Sequence, residues 1–130
     1  MMTWNDLARQ LRTRFRLSGE TATSGELLWS FGGRLQEQRL ELGHARTGPH
    51  VLLSSDVAGS GSVAPRRALE HNATLAAGAL AIQGQRVILR HILALEGLSF
   101  TRLSRDMELC AHEAARLRGR VESPFGGYSE

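Results

Sequence analysis

The sequence predicts one α+β domain in the order helix, three strands, helix, two strands, helix, with the helices packed on an antiparallel sheet. Three observations lead to this prediction. Apolar residues recur at helical spacing in the first and last segments, apolar and polar residues alternate between those segments, and glycine-containing turns separate the alternating stretches. A chain of 130 residues is long enough for one such domain, which we expect to span residues 1–121.

The first helix is predicted over Thr3 to Arg16 because a single apolar stripe runs along this segment. Thr3 is suited to begin the helix, since a threonine followed by Asp6 three residues later resembles a capping box. The stripe consists of Trp4, Leu7, Ala8, Leu11 and Phe15. We therefore expect this helix to pack along one side.

Three strands are expected next. The first runs from Glu26 to Phe31 and meets a return strand from Arg34 to Gly43 through Gly32-Gly33, a pair that suits a tight hairpin turn. A turn at residues 46–49 leads to a third strand from His50 to Val57. Consecutive strands joined by short links form an antiparallel meander.

A second helix is predicted from Pro65, a residue favoured in the first turn, to about Ala77, with Gly78 ending it. The residues that share one face of this helix are Leu69, Ala73, Ala76 and Leu80. Because alanine side chains are small, this face lets a partner helix approach closely. A sheet that three helices do not fully cover is a natural place for a second copy to pack.

Two further strands are predicted, from Ala79 to Ile82 and from Arg86 to Leu95. The last helix follows Ser99, a suitable N-cap, and runs from about Phe100 to Val121. Its apolar stripe consists of Phe100, Leu103, Met107, Cys110, Ala114, Leu117 and Val121. Residues 122–130 contain a proline and a glycine pair, so we expect a flexible C-terminal tail.

Charge and composition narrow the function classes. All 16 basic residues are arginine, and the net charge is +3 with histidine neutral. Because arginine is dispersed and interleaved with glutamate, the pattern disfavours nucleic-acid binding, but a basic nucleic-acid-binding domain and a regulatory subunit remain alternatives. The polar N-terminus predicts no signal peptide, no segment reaches the length of a membrane span, and the single cysteine suits the cytoplasm.

No residue pattern indicates catalysis, a metal site or a cofactor. None of the five histidines has a second ligand at zinc-binding spacing. They are His44, His50, His71, His91 and His112. Cys110 lies on the apolar stripe of the last helix, where a buried thiol is inert, and Ser54-Ser55-Asp56 lacks the glycines of a nucleophile elbow. We therefore expect a non-catalytic protein.

Most aromatic residues lie in the first quarter of the chain, and two interpretations remain open. Trp4, Phe15, Trp29 and Phe31 either form the core of the N-terminal half or leave part of their surface open to an apolar peptide. Unpaired strand edges offer a second means of binding, because an extended guest can add to them as a strand.

The element order and the C-terminal half resemble a known family. The segment Gly84-Gln85-Arg86-Val87-Ile88-Leu89-Arg90 precedes Leu93-Ala94-Leu95-Glu96-Gly97-Leu98 and the last helix. Over nearly the whole chain this arrangement resembles the class I chaperones of type III secretion, the CesT or Tir-chaperone-like family. The resemblance implies a homodimer in the bacterial cytosol that works without ATP. Such a dimer would hold the N-terminal segment of a secreted effector or gatekeeper protein in an export-ready form.

The resemblance also implies two sets of contact residues. Effector contacts are expected at Leu7, Leu11, Phe15, Trp29, Phe31, Leu40 and Leu42. Dimer contacts are expected at Leu69, Ala73, Ala76, Leu80 and Ile82. A heterodimer with a second small chaperone remains an alternative.

Overall fold

The computed structural model describes residues 3–59, 70–84 and 86–121, and these residues confirm the α+β class. Their elements in chain order are α1 (Trp4–Arg14), β1 (Ser24–Phe31), β2 (Arg34–Ala45), β3 (Gly48–Gly59), a 3-10 helix (His71–Thr74), β4 (Ala79–Gln83), β5 (Arg86–Ala94) and α2 (Phe100–Val121). The predicted tail, residues 122–130, lies outside the described residues.

The five strands form one antiparallel sheet in the order β1-β2-β3-β5-β4. The first three strands are the predicted meander, and their pairing places Phe31 directly opposite Arg34 at the hairpin. Because β5 inserts between β3 and β4, the outer strands of the sheet are β1 and β4. Each outer strand has one side that no other described strand covers.

The two faces of the sheet differ because side chains alternate along a strand. One face, here the core face, packs against α2, which crosses β2, β3 and β5. The core it forms with the helices includes Leu27, Leu40, Val51, Leu53, Leu89, Leu103, Met107 and Leu117. The other face, here the open face, carries exposed apolar side chains at Leu28 (56%), Leu35 (53%) and Ile92 (51%).

Helix α1 begins with the predicted capping box. Thr3 Oγ1 accepts a hydrogen bond from the backbone N–H of Asp6 at 3.2 Å, and Asp6 Oδ2 accepts one from the N–H of Thr3 at 3.0 Å. The helix ends at Arg14, two residues earlier than predicted, because Phe15 takes an extended conformation. Phe15 therefore leaves the helix direction and turns towards β1.

The predicted second helix is only partly described, and its described part is shorter than expected. Residues 60–69 lie outside the described residues, and the chain is next described at Glu70 and in a 3-10 helix that ends at Thr74. Leu80 is therefore not on a helix face with Ala76; it lies on β4 and is buried. The prediction that Leu80 shares a helix face with Ala76 was wrong because the backbone becomes extended at Leu75, and the N–H of Ala76 is bound by the carboxylate of Glu113 at 2.7 Å.

The outer side of β4 is partly closed by an asparagine. Asn72 Oδ1 accepts a hydrogen bond from the N–H of Leu80 at 2.6 Å, and Asn72 Nδ2 donates to the carbonyl of Leu80 at 3.4 Å. The side-chain amide thus takes the two bonds that a neighbouring strand would make. A strand added to this edge would have to displace Asn72.

Candidate binding site

Four rings form a continuous row on the surface where α1, β1 and α2 meet. Phe15 lies 5.5 Å from Trp29, Trp29 stacks on Phe31 at 6.0 Å, and Phe31 meets His112 edge-on at 5.2 Å, all between ring centroids. The first three are half-buried and His112 is exposed. We call this row the aromatic stripe. Its inner side belongs to the core, and its outer side faces solvent.

A buried amide fixes the centre of the aromatic stripe. The indole N–H of Trp29 donates to Gln38 Oε1 at 3.0 Å, and Gln38 Nε2 donates to the carbonyl of Met107 on α2 at 2.9 Å. Gln38 is only 1% exposed, so its amide lies away from water, and the two bonds hold the indole in one orientation. Gln38 is not among the predicted site residues, because its alternation with Gln36 and Leu40 in the sequence indicates a shared strand face but not the partners of its amide.

The outer edge of β1 is open beside the aromatic stripe. Ser18 bridges to Glu26, with N–H to carbonyl distances of 2.7 and 2.9 Å, so both backbone groups of Glu26 point away from β2. By the two-residue period of a strand, the backbone groups of Leu28 and Ser30 point the same way. No other described strand pairs with them. A guest strand could bind there and rest side chains on the stripe.

Comparison with known proteins gives a structural match. No family model matches the sequence, and no curated protein matches it. A chain in the crystal structure of the ExsC–ExsE complex has a TM-score of 0.65 at 14% identity, over 93% of this chain and 97% of that one. A chain in the HopA1–SchA chaperone–effector complex has a TM-score of 0.61 at 16% identity, over 89% and 90%. The fold of this protein is class I type III secretion chaperone-like. The identities are low, so what is shared is the fold.

Within this secretion-chaperone fold, the expected effector contacts divide into two groups. Phe15, Trp29 and Phe31 come together in the aromatic stripe. Three others have almost no surface to offer, since their exposed fractions are at most 1%. They are Leu7, Leu11 and Leu40.

Leu42 is half-buried but lies away from the stripe, at the end of β2 remote from the Phe31 hairpin. The N-terminal apolar residues are therefore core in part, and binding of an effector by the accessible ones stays a prediction. The residues that lie deeper form core, and the aromatic rings at the rim stay accessible.

The expected dimer contacts of the secretion-chaperone fold are also divided. Leu69 lies outside the described residues, and so does the side chain of Ala73. Leu80 is 4% exposed and belongs to the core, whereas Ala76 is exposed and Ile82 is 44% exposed. Ala76 and Ile82 are the two expected dimer residues with a described, accessible side chain.

Other parts of the described surface offer less to a guest. A cavity of about 400 Å³ lies on the open face of the sheet. Most of its charged side chains pair with one another, for example Arg39 with Glu26 at 3.1 Å and Arg86 with Asp56 at 3.4 Å. Burial, followed by the charges of neighbouring carboxylates, raises the pKa of Cys110 to about 12, so the thiol stays protonated at neutral pH.

Metal-ligating side chains are dispersed in the described part of the chain. Over residues 3–59, 70–84 and 86–121, no group of three such side chains comes together. Within these same ranges, no helix is long and apolar enough to cross a membrane.

Proposed function

We propose that this protein is a non-catalytic cytosolic chaperone that binds the N-terminal segment of a type III secreted effector or gatekeeper protein and keeps it export-competent. The observation that carries the proposal is the position of the aromatic stripe beside the open edge of β1. One of the similar structures is described as a chaperone–effector complex, which supports a guest polypeptide as the partner. Binding of this kind needs no cofactor.

A guest in extended form would use the two features together. Its backbone would hydrogen-bond with the outward N–H and carbonyl groups of Leu28 and Ser30, and alternate side chains would pack on Phe15, Trp29 and Phe31. Each apolar side chain contributes about 25 cal/mol per Å² buried, and ordering the guest offsets much of this gain. Several modest contacts of this kind together keep the guest segment extended, and each contact is weak enough for the segment to be released one contact at a time.

The same proposal includes a homodimer, with contacts from the 3-10 helix region and β4. Ala76 and Ile82 present apolar surface there, and β4 is an outer strand of the sheet. Light scattering of the purified protein is expected to give twice the 14.2 kDa mass of one chain. A mass equal to that of one chain would contradict the homodimer. A protein that is recovered only together with a second small chain would favour a heterodimer.

Leu28→Pro tests strand addition. Proline removes the outward N–H of Leu28, which makes no bond with β2, and edge strands tolerate proline. The purified protein is first used to capture its guest from the native host, and mass spectrometry identifies the captured guest. The N-terminal segment of this guest is then prepared as a peptide. We expect its affinity for the variant to fall by about tenfold or more in calorimetry, with the far-ultraviolet circular dichroism unchanged.

Leu28→Thr is the matched control, since threonine keeps the backbone N–H and suits a strand. It should bind the guest peptide like the natural protein. Equal affinity of the proline and threonine variants would show that the guest does not pair with β1. A protein that captures no polypeptide would contradict the chaperone function itself.

A further inference from the structure

We infer that the guest of the aromatic stripe carries acidic residues on both sides of a short apolar strand. The inference rests on the proposed function and adds the chemical class of the guest. It is drawn from arginines that stand at both ends of the aromatic stripe and that no carboxylate of the described residues neutralises.

Arg14 and Arg16 flank Phe15 at the first end of the stripe, and both are exposed. The guanidinium of Arg14 lies over the ring of Phe100, 5.7 Å from its centroid, so its partner is an aromatic face that leaves its charge uncompensated. Arg12, two residues before Arg14, is different because the carboxylate of Glu20 binds it at 2.6 Å. The net effect at this end is an excess of positive charge.

Arg34 and Arg118 stand at the Phe31 end. Arg34 is the cross-strand partner of Phe31, so the two side chains share one face of the sheet. One N–H of Arg34 donates to the carbonyl of Ala115 at 2.8 Å, and Arg118 donates to the carbonyl of Leu35 at 2.8 Å. These neutral acceptors hold both guanidinium groups in place without cancelling their charge, so a guest carboxylate meets pre-organised donors.

Acidic side chains near the stripe are too few to reverse this sign. Glu113 is bound to Arg116 at 2.6 Å, and Glu26 is bound to Arg39 at 3.1 Å. Glu108, four residues before His112 on α2, is exposed and makes no ion pair within the described ranges. Glu37, the cross-strand partner of Leu28, is also exposed and makes no ion pair within the described ranges, but it shares the open face with Leu28. Two such carboxylates stand against the four arginines at the two ends, so acidic guest residues are attracted and basic ones repelled.

The length of the open edge sets the spacing of the guest charges. From Leu28 to Phe31 β1 extends about 10 Å at about 3.3 Å per residue, which matches a guest strand of about four residues. Arg16 precedes by two positions the residue that bridges to Glu26, and Arg34 is the cross-strand partner of Phe31, so we expect the guest residues that flank this strand to be nearest to Arg16 at one end and Arg34 at the other. The pattern we expect is acidic, about four alternating apolar and polar residues, acidic.

A display library tests this pattern. Each peptide has four central positions that alternate between apolar residues and threonine, with three fully randomised positions on each side. Selection on the full-length protein at low salt is expected to enrich Asp and Glu in both flanks. A selected peptide is then compared with its Ser-flanked and Arg-flanked versions by fluorescence polarisation. We expect the acidic version to bind about tenfold more tightly than the basic one, and the difference to shrink as salt screens the charges.

Charge-reversal variants locate the effect. In the double variant Arg16→Glu and Arg34→Glu the preference should invert, so that the basic version binds more tightly. In the control Arg46→Glu and Arg90→Glu, which changes the net charge equally at exposed arginines away from the stripe, the acidic preference should remain.

The outcomes separate the inference from the function on which it rests. Flanks without charge enrichment, or the same preference in both double variants, would overturn the acidic pattern and leave the chaperone proposal standing. Displacement of the selected peptide by heparin or by a scrambled peptide as readily as by itself would also overturn it, because binding would then be a general affinity for polyanions. A selection that enriches no peptide would contradict guest binding at β1.

Discussion

Leu11→Asp is expected to unfold the protein, whereas Phe15→Asp is expected to leave it folded and to weaken guest binding. Leu11 is 1% exposed in the core, and a carboxylate there would be buried without a partner, a change that costs more than about 4 kcal/mol. That is a large part of the roughly 5 to 15 kcal/mol by which a typical domain is stable. Phe15 is half-buried, so an aspartate there can keep its charge in water.

Urea unfolding followed by circular dichroism measures the first effect, and calorimetry with the guest peptide measures the second. For Phe15→Asp we expect the guest affinity to fall by about tenfold or more, since one wall of the aromatic stripe is lost. Leu11→Met is the conservative control for folding, because a swap that keeps volume costs less than about 1.5 kcal/mol, and Phe15→Tyr, which keeps the ring, is the control for binding. A Leu11→Asp variant that is folded but no longer binds the guest would show that Leu11 belongs to the binding site and not to the core.

These two residues also show where sequence reasoning stops. Leu7, Leu11 and Phe15 share one helical stripe, and the spacing correctly predicts that the stripe is apolar and packed. Spacing carries no information on depth, however. Phe15 is accessible because α1 ends one residue before it, and the backbone turns there into an extended conformation that directs the ring to Trp29.

Elements set by local chemistry were predictable. The capping box of Thr3 and Asp6 and the hairpin at Gly32-Gly33 each depend on residues within a few positions of one another. The described end of the second helical segment depends on a distant residue, since Glu113 binds the N–H of Ala76 from 37 positions away. The apolar spacing from Leu69 to Leu80 could not reveal that bond. For the same reason, the spacing gave no sign that Gln38 joins Trp29 to α2.

Arg116→Met is expected to lower the free energy of unfolding by about 3 kcal/mol at pH 7. Glu113 is 6% exposed, and its carboxylate accepts hydrogen bonds from Arg116 at 2.6 Å and from the N–H of Ala76 at 2.7 Å. Without Arg116, a buried charge keeps a single backbone donor, and breaking a buried pair in this way costs about 3 to 5 kcal/mol. Urea unfolding at pH 7 measures the loss. A change below about 0.5 kcal/mol, the range of ordinary surface substitutions, would show that the pair is not structural.

The dependence of stability on pH gives an independent check on Glu113. Burial alone raises the pKa of Glu113, but the hydrogen bonds from Arg116 and Ala76 outweigh burial and hold this pKa below its usual value of 4.5. A folded-state pKa below the unfolded one contributes stability that is present above the unfolded pKa and is lost as the pH falls through the folded pKa. The natural protein should therefore lose more stability between about pH 5 and pH 3 than Glu113→Gln does. Glu108→Gln, at an exposed position of the same helix, should follow the natural protein.

If the stability of Glu113→Gln has the same pH dependence as that of the natural protein, the carboxylate of Glu113 is not the group whose protonation weakens the fold.

Variants of Glu113 also separate stability from guest binding. Glu113 binds the segment before β4 to α2, while the aromatic stripe is made by Phe15 directly after α1, by two rings of β1 and by His112 on α2. Because the hydrogen bonds of Glu113 go to Ala76 and Arg116 and not to a ring of the stripe, variants of Glu113 that remain folded at pH 7 should bind the guest peptide with unchanged affinity. Phe15→Asp should instead keep its stability and lose affinity for the guest peptide. This difference between the variants at the two positions would identify the stripe as the binding site.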